Sequence, residues 1–122
     1  MIESGRAKHA YDCTQMKKGS TEYRSYVKKM PMMIKVNGLA QTIVFYESKS
    51  HDHRDVVKHV ESWLRKEEVR KRLSLPDKVS LMEAVCKMET EQYRLVTYEI
   101  MELLGWMRRF VDAHAKTKED QT

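Results

Sequence analysis

Among the side chains suited to chemistry, the histidines and cysteines come first, and their spacing decides what they could do. The ligand-like cluster is His51-Asp52-His53-Arg54-Asp55, with His59 beyond it. A metal phosphohydrolase of the H…HD…D type needs a distant His, a His-Asp pair and a later Asp. His9, His51-Asp52 and Asp112 satisfy that order formally. The spacing is unconstrained, however, and any chain with five His can supply it. The His-Asp pair also falls at a predicted helix start, where Asp is a capping residue. A capped, solvated turn is therefore expected there, with no metal and no other cofactor. Cys13 or Cys86 as a nucleophile would need a nearby base, and His9 one turn from Cys13 is an unspecific pairing. No Gly-rich phosphate loop and no GxSxG is present. The chain is not expected to be an enzyme.

The cations carry more information. Lys17, Lys18, Arg24, Lys28, Lys29 and Lys35 stand against Glu22 alone, so residues 17–35 carry +5. Arg24 and Lys28 are one turn apart and repel unless an anion sits between them. No acid at local helical spacing serves them. Tyr23 and Tyr26 interleave with them, which suits base stacking as well as packing. A second group, Arg94, Arg108 and Arg109, lies on one later helix. Residues 1–72 carry +7 and residues 73–122 carry −2. That asymmetry suits an anionic partner at one surface and a protein neighbour elsewhere.

Apolar spacing of three and four positions these groups almost everywhere, and strict alternation never persists. An all-α bundle of about six or seven helices around a long central C-terminal helix is expected. Residues 1–122 read as one domain, with a polar, frayed tail at 116–122. A first helix runs from about Ile2 to Lys17, and Gly19-Ser20 stops it and caps the next. The second helix should end or kink before Pro31, with a short helix from Pro31 to Val36. Asn37-Gly38 closes that helix, and Leu39 to Glu47 forms another. Ser50 or Asp52 caps a helix presenting Val56, Val60, Trp63 and Leu64 to the core. Its outer face pairs Glu61 with Arg65, Glu67 with Lys71 and Glu68 with Arg72. A connector over Leu73–Val79 leads to Ser80-x-x-Glu83, which resembles a capping box. Thr90 caps the longest helix, which ends near Ala115. Trp63 and Trp106 should be largely buried, and Cys13 and Cys86 read as core residues in a reducing compartment. The Met30, Met32, Met33 group reads as core filling, with an adaptable contact surface as the alternative. No apolar run approaches the ~18 residues of a membrane helix. The first residues do not form a secretory signal. A cytoplasmic protein is expected.

The run from Tyr23 to Ile34, followed by Asn37-Gly38-Leu39-Ala40-Gln41 and then Ala40 to Tyr46, resembles the small subunit of the type III-B CRISPR effector, the fifth subunit of the Cmr complex. Tyr93-Arg94, Thr97, Glu99 and the stretch from Leu103 to Phe110 agree, as does Arg6-Ala7-Lys8 with Ala10. Val27 through Gln41 is the specific part, and residues 49–89 have no residue-by-residue counterpart. The resemblance implies a helical bundle in a guide-RNA-loaded antiviral assembly. In that family small subunits stack into a short filament beside the backbone subunits and help frame the guide–target duplex. Target cutting belongs to a backbone subunit and nucleotide chemistry to the large subunit. The implied partners are those subunits, further small-subunit copies, guide RNA and target RNA, with no membrane. The expected RNA contacts are Lys17, Lys18, Arg24, Lys28, Lys29, Arg94, Arg108 and Arg109, with Gln41 adding a neutral hydrogen bond beside the Asn37-Gly38 turn. Two other readings stand beside this one. A free-standing RNA- or DNA-binding module predicts tight binding by the isolated chain, and a metal phosphohydrolase predicts metal-dependent activity.

Overall fold

The computed structural model describes the backbone of residues 2–120 and the side chains of residues 5–116. Seven helices and no strand occur among the described residues: α1 (Ile2–Met16), α2 (Thr21–Asn37), α3 (Leu39–Glu47), α4 (His51–Leu64), α5 (Glu67–Arg72), α6 (Leu81–Lys87) and α7 (Thr90–Asp120). The axis is α7, whose Val96, Ile100, Leu103, Leu104, Met107 and Val111 are buried at helical spacing. Along it lie α1 and α2, while α3 packs on α2, α4 and α6. The buried side chains of α1 are small, Ala10, Cys13 and Thr14, and α2 supplies Tyr23, Val27, Met30 and Ile34.

Local signals set most boundaries. Ser20 caps α2 by accepting from the Tyr23 N–H, and Ser50 caps α4 by accepting from the His53 N–H. The His53 ring reaches back to the Ser50 backbone, so the histidine-rich start of α4 is a capped turn, with Ser50 rather than Asp52 as the cap. Ser80 likewise caps α6 through the Glu83 N–H, but the Glu83 carboxylate turns to Lys87 instead of closing the box. Gly38 ends α2 at φ 87°, a conformation only glycine adopts without strain.

Several expectations need correcting. The helix does not break at Pro31; α2 runs through it from Thr21 to Asn37. An interior proline costs about 3 kcal/mol, but the buried stripe Tyr23, Val27, Met30, Ile34 spans both sides of it and holds one continuous helix. Conversely, the helix expected to continue to Arg72 divides at Lys66, whose backbone is extended. Glu61–Arg65 and Glu67–Lys71 pair as expected, whereas Arg72 leaves Glu68 for Glu99. Thr90 lies inside α7, since the Tyr93 N–H already donates to the Glu89 carbonyl. The helix continues to Asp120, past the end expected near Ala115. The frayed tail read for 116–122 falls largely outside the described side chains. Trp63 is buried but Trp106 only half-buried, and Cys86 is exposed. Of the three methionines Met30 alone is core, with Met32 exposed and Met33 half-buried.

One buried charge ties the elements together. Glu99 of α7, 1% exposed, accepts from Arg6 Nε of α1 at 2.5 Å and Nη2 at 3.1 Å, and from Trp63 Nε1 of α4 at 3.1 Å. It also accepts from Arg72 of α5. Burial alone would raise this carboxyl's pKa, but the Arg6 and Trp63 hydrogen bonds outweigh it and keep the group ionised. A buried carboxylate demands every donor within reach, which is why it draws Arg72 away from its own helix.

Candidate nucleic-acid interface

The basic run of α2 is placed by two devices. The Gly19 turn (φ 98°) between α1 and α2 brings Lys17 and Lys18 beside the start of α2. The buried stripe then sets the rotation of the helix. Arg24 and Lys28 each follow a buried residue, Tyr23 and Val27, and so emerge at the edge of the seam with α7. At that edge stands Asp112. Its Oδ1 accepts from Arg24 Nε at 3.2 Å and from Lys28 Nζ at 3.1 Å. The anion that two cations one turn apart require is therefore supplied by the chain itself, 84 residues beyond Lys28. All three side chains stay substantially exposed, at 36%, 36% and 43%. Partial burial would raise the Asp112 carboxyl, but the hydrogen bonds from Lys28 and Arg24 hold it below the ordinary range.

The remaining expected contacts differ in kind. Lys17 bridges Asp52 and Asp55 of α4, both at 2.7 Å, and is the least exposed of the cations, fixing α1 to α4. Lys18 and Lys29 are exposed and make no ion pair among the described residues. Lys18 lines a pocket of about 260 Å³ with Lys17, Thr21, Arg24 and His114. A shallower hollow lined by Thr21, Arg24, Ser25, Lys28 and Lys29 adjoins it, and the two share Thr21 and Arg24. Together they make one basic groove along α2. Arg108 is exposed one turn before Asp112, on the same flank of α7, and Arg109 is exposed beside it. Arg94 pairs with Glu91 at 2.7 Å near the other end of α7. Arg94 lies 18 residues from Asp112, roughly 27 Å along the helix. Gln41, exposed on α3, belongs to that far end too, because the neighbouring Ala40 N–H donates to the Tyr93 hydroxyl at 2.8 Å. The expected set is thus one groove, one structural bridge and one distant pair, not a single patch.

Neither tyrosine is free to stack on bases. Tyr23 is buried, with its hydroxyl hydrogen-bonded to His59 Nδ1 at 2.6 Å. Tyr26 stacks on His53 with ring centroids 3.5 Å apart. The exposed aromatic ring near the groove is Tyr11, edge-on to Phe110 and His114. The sequence places Tyr11 on one side of the first helix with Ala7, Ala10 and Thr14, but Ala10 and Thr14 are buried and Tyr11 is exposed; Asp112 stands out there only as a formal metal ligand.

The histidines are held separately. His9 Nε2 lies 3.2 Å from the His59 carbonyl and 2.9 Å from Ser62 Oγ. His51 lies against Asp55 and Asp112 against the α2 cations. The three arms of the formal H…HD…D set therefore have different partners. Cys13 Sγ is 3.4 Å from His9, but burial pushes its thiol pKa up and keeps it protonated. Burial lowers His59 to about 4, so it is neutral at physiological pH. Among the described residues no group of three or more His, Cys, Asp or Glu side chains is placed to hold a metal ion. None of the described helices is long and apolar enough to cross a membrane.

Residues 2–114 match the family described as CRISPR-associated protein (Cas_Cmr5). Over 95 residues the chain is 26% identical to the CRISPR system Cmr subunit Cmr5 of Thermus thermophilus, covering 78% of this chain and 76% of that protein. The crystal structure of a CRISPR-associated Cmr5 family protein, also from Thermus thermophilus, superposes with a TM-score of 0.77 at 24% identity, over 93% of this chain and 96% of that one. At that identity the likeness speaks for the fold.

Proposed function

The chain belongs to the Cmr5 family of CRISPR-associated proteins, and we propose that it is a non-catalytic structural subunit of an RNA-guided type III-B complex that helps hold the guide–target duplex. The observation that carries this reading is the basic groove along α2, which a sugar-phosphate backbone matches in sign. Contacts of that kind position a strand without reading its sequence, as a subunit serving any guide must do. The exposed Leu95 and Tyr98 of α7 offer apolar surface to a neighbouring subunit and support stacking in a filament. The cytoplasm, where guide and target RNA meet, is the proposed location.

The test is reconstitution with Arg24→Gln, Lys28→Gln and Lys29→Gln combined. Glutamine is preferred to glutamate because an acid at 24 or 28 would face Asp112 and open the α2–α7 seam. Assembly should survive, since packing rests on the buried stripes. Target RNA binding should weaken about equally for unrelated guide–target pairs. The slope of log affinity against log salt should flatten by roughly one unit per lost phosphate contact. Failed assembly, with any complex that forms keeping the wild-type slope, would assign these cations to an acidic neighbour instead. Equally tight RNA binding by the isolated chain would favour a free-standing module.

A further inference from the structure

We propose that Asp112 occupies the seat of a backbone phosphate, so that the isolated chain closes its own basic groove and a nucleic-acid strand must displace this carboxylate to bind. The inference rests on the reading that the α2 groove carries RNA, and it names the point on that groove where a phosphate sits. A single carboxylate oxygen takes both Arg24 Nε and Lys28 Nζ, at 3.2 and 3.1 Å. A non-bridging phosphate oxygen carries the same charge and accepts the same two donors. The neighbouring groove positions lack such an acid: Thr21 and Ser25 are neutral, and Lys18 and Lys29 form no ion pair among the described residues. Asp112 is thus an isolated counter-charge at the middle of a cationic row.

Its exposure makes it displaceable. The Lys17 bridge to Asp52 and Asp55 is fixed by two acids at 2.7 Å with less open side chains. The Asp112 bridge has one acid for two cations, longer contacts, and a carboxylate free to rotate into water. Exposed bridges of this kind contribute little to stability, so the fold does not depend on it. Exchanging one monoanion for another gains little electrostatic energy in a single chain. A strand held by the rest of an assembly, however, presents its phosphate at high effective concentration. The device would suppress capture of stray RNA by free subunits while leaving the assembled groove usable.

The experiment measures binding of a fluorescently labelled 20-nucleotide oligouridylate to the full chain by anisotropy across a salt series. Asp112→Asn should bind about 3–10-fold more tightly at low salt, because the strand no longer has to displace a carboxylate from Arg24 and Lys28. Asp12→Asn, the same charge change on the α1–α4 side beside Trp63 and Lys66, should change affinity by less than about 2-fold. Equal gains from both variants would reduce the effect to net charge and overturn the proposal. Asp112→Ser gives the same reading should the asparagine variant lose helicity by circular dichroism. If the Arg24/Lys28/Lys29 glutamine variant weakens binding but Asp112→Asn does not tighten it, the phosphate seat fails and the groove reading stands. If neither alters binding, both fail; if Asp112→Asn binds nothing even at the lowest salt, the phosphate seat fails and the reconstituted complex decides the groove reading.

Discussion

Two carboxylates on one helix, Glu99 and Asp112, each gather two cations, yet they do opposite things. Glu99 is buried and joins α1, α4 and α5 to α7 through Arg6, Trp63 and Arg72. Asp112 is 43% exposed and holds two side chains of a single helix, which the apolar seam already packs on α7. Burial decides between these roles. A desolvated carboxylate is committed to its donors, because losing one leaves a charge without compensation. A solvated one exchanges freely with water or with another anion. Counting ion pairs would rate the two alike.

The comparison breaks most visibly at Glu99. Glu99→Ala should destabilise the chain by about 3–5 kcal/mol by stranding Arg6 and the Trp63 N–H, measured by urea unfolding. A loss under about 1 kcal/mol would mean that the node is already open to water. Because the Glu99 pKa is depressed in the fold, its contribution is complete above the unfolded carboxyl value, about 4.3. That contribution should fade as pH falls further, through the folded value.

The next effect belongs to His59. Its folded pKa of about 4 lies below the unfolded value of 6.5, so the unfolded chain binds the extra proton between them. Stability should be level in this respect above pH 6.5 and fall as pH drops from there toward 4. The loss should be on the order of 1–2 kcal/mol for a half-buried ring. His59→Gln should flatten that stretch of the stability profile. An unchanged profile would show that the ring is already protonated against Asp55 in the fold. The smallest effect should come from Asp112→Asn, under about 1 kcal/mol in the same unfolding assay. A loss as large as that of Glu99→Ala would make Asp112 structural and remove the contrast.

The sequence made the local part of this molecule legible. The spacing of Val96, Ile100, Leu103, Met107 and Val111 shows α7, and Ser20, Ser50 and Ser80 mark three helix starts, because these signals act within one or two turns. What stayed hidden was decided at long range. Pro31 reads as a helix end until the burial of Val27 and Ile34 on either side of it is known. Glu68 is the nearer partner of Arg72, but the buried Glu99 wins. The need of Arg24 and Lys28 for an anion between them was visible, while its identity was not. Nothing in the spacing of α2 points to a residue on α7, and Asp112 stood out only as a formal metal ligand. As for the expected RNA contacts, the sequence located a basic groove but could not separate it from the Lys17 bridge or from Gln41 and Arg94 at the far end of α7.

The central claim, that the α2 groove faces RNA inside the assembly, is tested most directly by a photo-crosslinking residue at Ser25, within that groove, and in parallel at Met82, exposed on α6. Each variant is built into the complete complex with labelled target RNA and irradiated. The account predicts an RNA adduct from position 25, lost at high salt, and none from position 82. Adducts from position 25 to protein subunits alone, in a complex that still binds its target, would contradict it.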